Sequence, residues 1–287
     1  MRTASKPALI ATALPWILAL SLAAQSSPPA PAGPGQGPAQ APSALQQQTE
    51  TMEEDVGEHD LTYLRSRVVL RYDYKSQAGD TAANRLRIKT LYAFGPHQRL
   101  GVSINAPVIH KNVAGDPAGG LGDVELQFGG NFYRGERFRT GALVEFKLPT
   151  STDRSLGGGT TTIKPAWGFT AVLTPSLELN CVFNYKRSIY TTRGSPANEF
   201  EPDFTLSARR WGATWWAEWD SYYLFIPGEF AQTFKLGVSH AFGRERRWIV
   251  SPYYSFPLNA SGRQTQYIHQ VGMDVTFYLP NGRRHGP

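Results

Sequence analysis

The sequence predicts an all-β fold: a transmembrane, antiparallel, up-and-down β-barrel of about 12 strands, preceded by a disordered N-terminal region. Alternation of apolar and polar residues is the first reason. In residues 122–133, Val124, Leu126 and Phe128 occupy one parity, while Glu125 and Gln127 occupy the other. Successive side chains of a strand point to opposite faces, so each such run has one apolar and one polar face.

The spacing of the turns is the second reason. Short turns such as RGE (134–136) and TP (174–175) alternate with long polar connections such as TSTDRSLGGGT (150–160). Bacterial outer-membrane barrels keep short turns on the periplasmic side and long loops outside. Mean hydropathy is low, at −0.35. This excludes a helical membrane protein but not a barrel, in which every second residue is polar.

We expect twelve strands within residues 61–279, the predicted barrel. A strand crosses the membrane at the usual tilt with about 9 to 11 residues, and each segment is long enough. The even count returns the C-terminus to the side of the N-terminus. The predicted segments are residues 61–74, 83–94, 98–110, 122–133, 137–149, 161–173, 176–189, 199–210, 212–224, 230–242, 246–257 and 265–279.

Residues 1–23 are typical of a secretory signal peptide. Arg2 and Lys6 precede an apolar run over residues 8–22, which ends in small residues around Ala23. The alternative, a membrane-spanning helix, needs about 20 apolar residues, and this run is shorter and contains Pro15. We therefore expect an exported protein of the cell outer membrane.

Residues 24–60 form a predicted periplasmic linker in two parts. The first is rich in Pro, Ala and Gln and cannot bury a core. The second, TETMEEDVGEHD (49–60), is acidic. Its composition favours a solvated tail over a plug or a partner-binding segment, because charged stretches are usually disordered. A short tail, residues 280–287, follows the barrel.

Aromatic residues cluster where the predicted strands end, which indicates two girdles at the lipid headgroups. Those near short turns are Tyr92, Phe94, Phe132, Phe138, Trp211, Phe242 and Trp248, and those near long loops are Tyr72, Tyr74, Tyr190, Tyr223 and Phe256. In the last segment, Gln270, Gly272, Val275 and Phe277 resemble the C-terminal recognition pattern of outer-membrane barrels. This predicts the barrel-assembly machinery as a partner.

The polar parity carries many charges, which must face the lumen because a charge on the lipid face costs about 2 to 4 kcal/mol at the midplane. Strands one and two present a basic wall, and later strands present acidic walls. The candidate pore-lining residues are Arg65, Arg67, Arg71, Arg85, Arg87, Lys89, Asp123, Glu125, Glu145, Lys147, Glu199, Glu201, Asp203, Glu218 and Asp220. Two interpretations remain: the charges pair across neighbouring strands and make the interior soluble, which we favour residue by residue, or they form a selective transverse field.

The net charge argues against a nucleic-acid-binding protein, and the single cysteine argues against an internal disulfide. The formal charge is +6, which becomes +4 without Arg2 and Lys6, and the basic residues are spread over the strands, so nucleic acid is not an expected partner. Cys181 cannot form an internal disulfide. It shares its parity with Leu179 and Phe183, which predicts a lipid-facing or packed thiol.

Three motifs stand out in the sequence: GLGDVELQF (120–128), LPTSTDRSLGGGTTTIKPAWGF (148–169) and the strand end NYKRS (184–188). Together they resemble an outer-membrane transporter family, the one named for the meta-cleavage (MetA) pathway of phenol degradation. Within them, the positions that match the family pattern are Gly120, Gly122, Asp123, Pro149, Thr150, Gly157, Gly159 and Pro165. The resemblance implies an outer-membrane barrel that passes small, often aromatic, molecules. Glycines at 157–159 also suit a loop that folds close to the barrel mouth.

Enzyme and metal sites are not indicated. A lipid hydrolase needs a serine with a base in hydrogen-bond reach, but Ser239 and His240 point to opposite faces, and neither His110 nor His269 has a serine of matching parity on its strand. The histidines lack ligand spacing, and the GGG at 157–159 lacks the lysine and helix of a phosphate loop. We expect no enzymatic activity, cofactor or metal.

The functional hypothesis is an outer-membrane channel for passive uptake of small solutes, aromatic ones among them. Its expected partners are outer-membrane lipid, the barrel-assembly machinery and the small-molecule solute; the oligomeric state is not indicated. The alternative is a non-conducting structural or surface-interaction barrel, which would share every feature above. An outer-membrane lipid hydrolase is less favoured.

Overall fold

The structure, a computed structural model, describes residues 62, 64–77, 81–113, 116–153, 156–191, 196–225, 228–243 and 246–279. The predicted signal peptide, linker, acidic segment and C-terminal tail lie outside these residues. That part of the domain division therefore stays a prediction.

The described chain forms one antiparallel sheet that closes on itself, with each strand beside its neighbours in sequence. β1 pairs with both β13 and β2, and β2 pairs with β3, so the barrel is complete. The strands are β1 (Arg67–Gln77), β2 (Thr81–Phe94), β3 (Leu100–Val113), β4 (Asp116–Leu121), β5 (Val124–Arg134), β6 (Phe138–Leu148), β7 (Thr160–Thr174), β8 (Leu177–Thr191), β9 (Asn198–Arg210), β10 (Ala213–Leu224), β11 (Glu229–Phe242), β12 (Trp248–Pro257) and β13 (His269–Tyr278).

β4 and β5 share one position in the barrel. Both pair with the same edge of β3, β4 with Val108–Val113 and β5 with Leu100–Asn105. Gly122 and Asp123 interrupt this ladder, and the Gly122 amide donates to the Pro107 carbonyl at 2.8 Å. The barrel therefore has twelve strand positions, and the predicted twelve-stranded, antiparallel barrel is confirmed.

Two predicted strand boundaries are wrong. The final long connection contains a short helix, α1 (Ala260–Thr265), so the last strand starts at His269 instead of residue 265. Asn259 caps this helix by accepting from the Gly262 amide at 2.8 Å. At the other end, β1 starts at Arg67 and not at residue 61. β13 stops at Tyr278, the register partner of Arg67, so the chain before Arg67 has no strand beside it on that edge.

The residues before β1 turn into the barrel instead. We call Thr62 and Leu64–Ser66 the strap. The Leu279 amide donates to the Ser66 carbonyl at 2.9 Å, and beyond that bond the strap leaves the sheet. Leu64 packs with Leu91 and Ala93, whose side chains point inward from β2. The strap therefore lies inside the end of the barrel that carries the short turns, the periplasmic end.

The outer face is apolar around the whole barrel, as a membrane-spanning barrel requires. Its exposed large side chains include Leu70, Ile88, Ile104, Phe128, Trp167, Leu206, Trp219, Leu236, Tyr254 and Val271. Exposed aromatic rings lie near both strand ends, Trp211 at a short turn and Tyr190 at a long loop among them. No helix in the described part of the chain is long and apolar enough to cross a membrane.

Candidate pore and its charged inner wall

Alternation along each strand decides what the lumen contains. On β1 and β2, Leu70 and Ile88 are exposed on the outside, whereas Arg71 and Arg87 lie on the opposite parity and are more buried. The same rule places every predicted pore-lining residue on the inner face, with Arg65 in the strap beside it. Most of these charged side chains contact a side chain of opposite charge. The inner face is therefore not divided into a purely basic wall and purely acidic walls.

The predicted basic wall contains two carboxylates that the sequence prediction missed. Asp73, with a fully buried side chain, accepts from Arg85 at 3.1 and 3.2 Å and from Arg87 at 3.2 Å. Arg71 forms a bidentate pair with Asp274 of β13. Asp73 shares the parity of Arg71, so alternation could have found it. Its partners depend on the register between strands.

The predicted acidic walls likewise contain lysines. Lys164 of β7 lies 3.4 Å from Glu145 and 3.9 Å from Glu201, and so joins carboxylates on both sides of its strand. Lys186 pairs with Glu199 at 2.9 Å, and Lys235 pairs with Glu218. Neutral donors satisfy other carboxylates: Asn105 donates to Glu125 at 2.6 Å, and Asn184 donates to Asp203 at 2.9 Å.

A charge difference between opposite sides of the barrel nevertheless remains. The inward positions of β13, β1 and β2 carry six basic residues, Arg67, Arg71, Lys75, Arg85, Arg87 and Lys89, against the two aspartates. Those of β7 to β11 carry seven acidic residues, Glu178, Glu199, Glu201, Asp203, Glu218, Asp220 and Glu229, against Lys164, Lys186, Arg209 and Lys235. In the closed twelve-position barrel, β7 to β9 lie opposite β13 to β2 and carry an excess of one acidic residue, while β10 and β11 carry an excess of two. Local pairing therefore leaves the inner wall unevenly charged.

Two large aromatic side chains lie inside the barrel without projecting far from its wall. Trp216 lies across Gly237, its register partner on β11, and donates from Nε1 to the Ser239 hydroxyl at 3.1 Å. Tyr253 lies across Gly272 of β13 in the same way. A Cβ atom on either glycine would lie 2.2 to 2.3 Å from a ring carbon. These glycines thus allow the rings to lie flat against the sheet.

At the extracellular end, the Gly-rich loop of residues 149–159 is held by Asp123. Asp123 is buried, accepts from the Gly158 amide at 3.0 Å and the Ser151 amide at 3.3 Å, and lies 3.6 Å from the Lys147 amine. A Cβ on Gly157 would lie 2.4 Å from the Asp123 carboxylate. Asp123 therefore binds a loop at the barrel mouth, which is a more specific role than general pore lining.

We expect the substitution Asp123→Ala to release this loop. Hydrogen bonds to a charged group contribute about 1.5 to 3 kcal/mol, so the loop should open at least about tenfold more often. Trypsin cleavage at Arg154, within the loop sequence, measures this rate on the refolded barrel. The matched control is Glu136→Gln, a charge change in an exposed short turn. Equal cleavage rates for wild type and Asp123→Ala would contradict the role of Asp123.

Serine and histidine residues on the inner and outer faces do not meet. Ser239 is buried on the inner face, where it contacts Trp216 and the Ser251 hydroxyl at 2.8 Å, and His240 faces outward beside Phe242. His269 also faces outward, with its ring centroid 6.2 Å from that of Tyr74. Within the described ranges, no group of three or more His, Cys, Asp or Glu side chains is placed to hold a metal.

A family model described as "Putative MetA-pathway of phenol degradation" matches residues 65–282, which include the whole barrel. The chain belongs to this family. The family resemblance predicted from the three sequence motifs is therefore confirmed. Of the motif residues, Thr150 and Gly157 lie in the loop of residues 149–159, and Gly120, Gly122 and Asp123 lie beside it. No curated protein matches the sequence.

Solved structures support the same fold. An outer membrane channel from Pseudomonas putida F1 is similar with a TM-score of 0.64 at 11% identity, covering 78% of this chain and 98% of that one. The NanC porin is similar with a TM-score of 0.55 at 13% identity, covering 74% and 100%. The KdgM porin is similar with a TM-score of 0.51 at 12% identity, covering 74% and 99%. With its apolar outer face, the chain is a β-barrel of the outer membrane.

Proposed function

We propose that this chain is a passive outer-membrane channel for small solutes, exported by its signal peptide and inserted by the barrel-assembly machinery through β13. The observation that carries the proposal is the construction of the inner wall. Charged side chains pair laterally between neighbouring strands, and two large inner rings, Trp216 and Tyr253, lie flat over glycines. Both arrangements leave the centre of the barrel to water and solute.

Selectivity in this proposal comes from the opposed charge excess. Arg85 and Arg87 lie on the side with excess basic residues, and Glu201 and Asp203 lie on the side with excess acidic residues. Charged side chains around a pore select permeating solutes by sign and by dipole. The family name supports aromatic solutes, and the similar channels and porins support transport over catalysis.

The first test is single-channel conductance of the refolded chain in a planar bilayer, with benzoate, phenol and a sugar of similar size. We expect stepwise conductance that the aromatic solutes reduce and the sugar does not. Arg85→Glu with Arg87→Glu should shift the reversal potential in a salt gradient toward cation selectivity. The neutral pair Arg85→Gln with Arg87→Gln should give an intermediate shift, and Lys147→Glu nearer the mouth a smaller one.

A second candidate, a non-conducting structural or surface-interaction barrel, is favoured by the strap that lies across the periplasmic end. An inserted barrel that gave neither conductance nor solute flux, even without its N-terminal region, would exclude the channel. A chain that conducts once this region is removed would exclude the structural barrel.

A further inference from the structure

The outer face of the barrel has a pocket in the extracellular half of strands β8 to β11. Its volume is about 560 Å³, and small-molecule sites typically measure about 300 to 1,000 Å³. Its lining combines seven aromatic side chains with Pro202, Ser221 and Gln232. These residues share the outward parity of their strands, so the pocket opens to the bilayer and lies outside the pore.

Strand register arranges the aromatic lining in two rows that run across the strands. In the row next to the long loops, Tyr223 is the register partner of both Phe200 and Phe230, with ring centroids 6.1 and 4.5 Å away. Four residues nearer the periplasm, Phe204 is in register with Trp219, at 6.5 Å between ring centroids. A strand advances about 3.3 Å per residue, so the rows lie about 13 Å apart. They border the pocket on its loop side and on its periplasmic side.

The floor of the pocket, between the two rows, carries polar groups. Ser221 of β10 and Gln232 of β11 are register partners, and Pro202 of β9 lies beside them. Ser221 is only 6% exposed, because Trp219 and Tyr223 flank it on the same face. In the part of the chain that the structure describes, neither the Ser221 hydroxyl nor the Gln232 side-chain amide makes a hydrogen bond. The pocket therefore contains a buried polar group whose hydrogen-bonding capacity is unused.

These polar groups indicate the chemistry of an occupant. A buried hydroxyl without a partner costs free energy, and lipid acyl chains offer it no hydrogen bond. The Ser221 hydroxyl and the Gln232 amide can each donate and accept, so a single hydroxyl between them can be satisfied from both sides. A charged group is disfavoured here, because the pocket opens to the bilayer, where a charge is costly.

The aromatic rows indicate the shape of the occupant. Aromatic rings pack favourably on other rings in offset or edge-to-face arrangements, and a single ring fits between rows about 13 Å apart. A long acyl chain follows the membrane normal and would have to pass over a row of rings to leave the pocket. The site therefore suits a compact ring better than a lipid chain.

We propose that this pocket binds a neutral, single-ring aromatic molecule with one hydrogen-bonding group, of the phenol class. The ring packs between Trp219 and Tyr223, and its hydroxyl bonds with Ser221 and Gln232. Because the pocket is continuous with the lipid-facing apolar band on the long-loop side, its occupant arrives through the outer leaflet. The inference goes beyond the proposed channel function, since binding here requires no passage through the lumen.

Tryptophan fluorescence in lipid vesicles tests the site, because Trp219 borders the pocket. The probe is 4-bromophenol, whose bromine quenches an indole that it contacts. We expect a saturable component of quenching, which unlabelled phenol competes away, above the linear component from probe dissolved in the bilayer. Trp219→Phe should remove the saturable component. Trp215→Phe is the matched control and should retain it, since Trp215 lies on the same strand and face and is 49% exposed, against 45% for Trp219.

Two variants test the polar floor. Ser221→Ala and Gln232→Leu each remove a hydrogen-bonding group and should weaken 4-bromophenol binding about twofold to tenfold. They should not weaken binding of bromobenzene, which lacks the hydroxyl. Thr90→Ala removes an outward hydroxyl from the distant strand β2 and should change neither affinity. Ser221→Phe fills the floor and should abolish saturable binding of both probes.

Three results would overturn the proposal. Quenching that is linear in 4-bromophenol and equal in every variant would mean partition into the bilayer only. Equal affinities for 4-bromophenol and bromobenzene, unaffected by Ser221→Ala, would remove the polar recognition. In vesicles of acyl-brominated phosphatidylcholine, phenol should relieve the quenching that depends on Trp219; quenching that phenol leaves unchanged would mean that a lipid chain fills the pocket. None of these measurements requires conductance, so the site and the channel function can fail separately.

Discussion

Arg139→Ala is expected to destabilise the barrel by about 3 to 5 kcal/mol, because it leaves a buried carboxylate without its guanidinium. Arg139 of β6 and Glu178 of β8 meet at 2.5 Å across β7, and their side chains are 1% and 2% exposed. The measurement is the free energy of unfolding in urea, followed by the fluorescence of the six tryptophans of the barrel in lipid vesicles.

Two further variants test whether the loss of stability comes from the unpaired buried charge or from lost packing. The double variant Arg139→Met with Glu178→Leu removes both charges and should recover most of the loss, since apolar residues of similar volume often replace a buried ion pair at little cost. Lys186→Ala breaks the more exposed pair with Glu199, where the side chains are 28% and 19% exposed, and should cost at most about 1 kcal/mol. A double variant as unstable as Arg139→Ala would show that shape, and not charge, dominates here.

Gly272→Ala is expected both to destabilise the barrel, by about 1 to 3 kcal/mol, and to narrow its pore. The new Cβ would lie 2.3 Å from the Tyr253 ring, so the ring must turn away from the wall into the lumen. Tyr253 would then lose the hydrogen bond that its hydroxyl accepts from Gln270 at 3.0 Å. Single-channel conductance should fall, and the unfolding midpoint should fall with it.

Control variants test the stability part and the conductance part of this prediction. Gly237→Ala makes the same change under Trp216, outside the C-terminal recognition pattern, and should act in the same direction. Gly119→Ala adds a Cβ on an exposed strand position whose nearest atom is 3.4 Å away, and should change neither quantity. Adding Tyr253→Ala to Gly272→Ala should restore conductance without restoring stability. Unchanged conductance in both glycine variants would show that the rings do not border the permeation path.

The rings that lie over glycines and the strap both affect the free cross-section inside the barrel. A barrel of about eight strands is filled by its side chains, whereas sixteen or more leave a wide channel. Twelve positions lie between these limits, so the placement of single side chains decides the free cross-section. Here the glycines opposite Trp216 and Tyr253 allow these large rings to lie against the wall. The side chains of Leu64 and Thr62, in contrast, occupy space in the periplasmic half of the lumen.

Alternation in the sequence determined much of this protein. Period-two patterning predicted the twelve strand positions, and it predicted the face of the charged side chains on the strands where they were named, since the pleat alone decides which way a side chain points. It separated Ser239 from His240, and the turn lengths indicated which end is periplasmic. The G-x-G-D and glycine-rich motifs identified the family, and Asp123 among them holds the loop of residues 149–159.

Register and long-range contacts were decided only by the tertiary structure. Alternation predicts that Asp73 and Asp274 face the lumen, but it does not predict that they contact Arg85 and Arg71. The partner of a residue on a neighbouring strand depends on the register between segments that are distant in sequence. The glycines beneath Trp216 and Tyr253 are likewise visible only once the strands are paired. The strap was missed for a related reason. The alternating pattern continues before Arg67, but β13 ends at Tyr278, and without that neighbour the chain turns inward to Thr170.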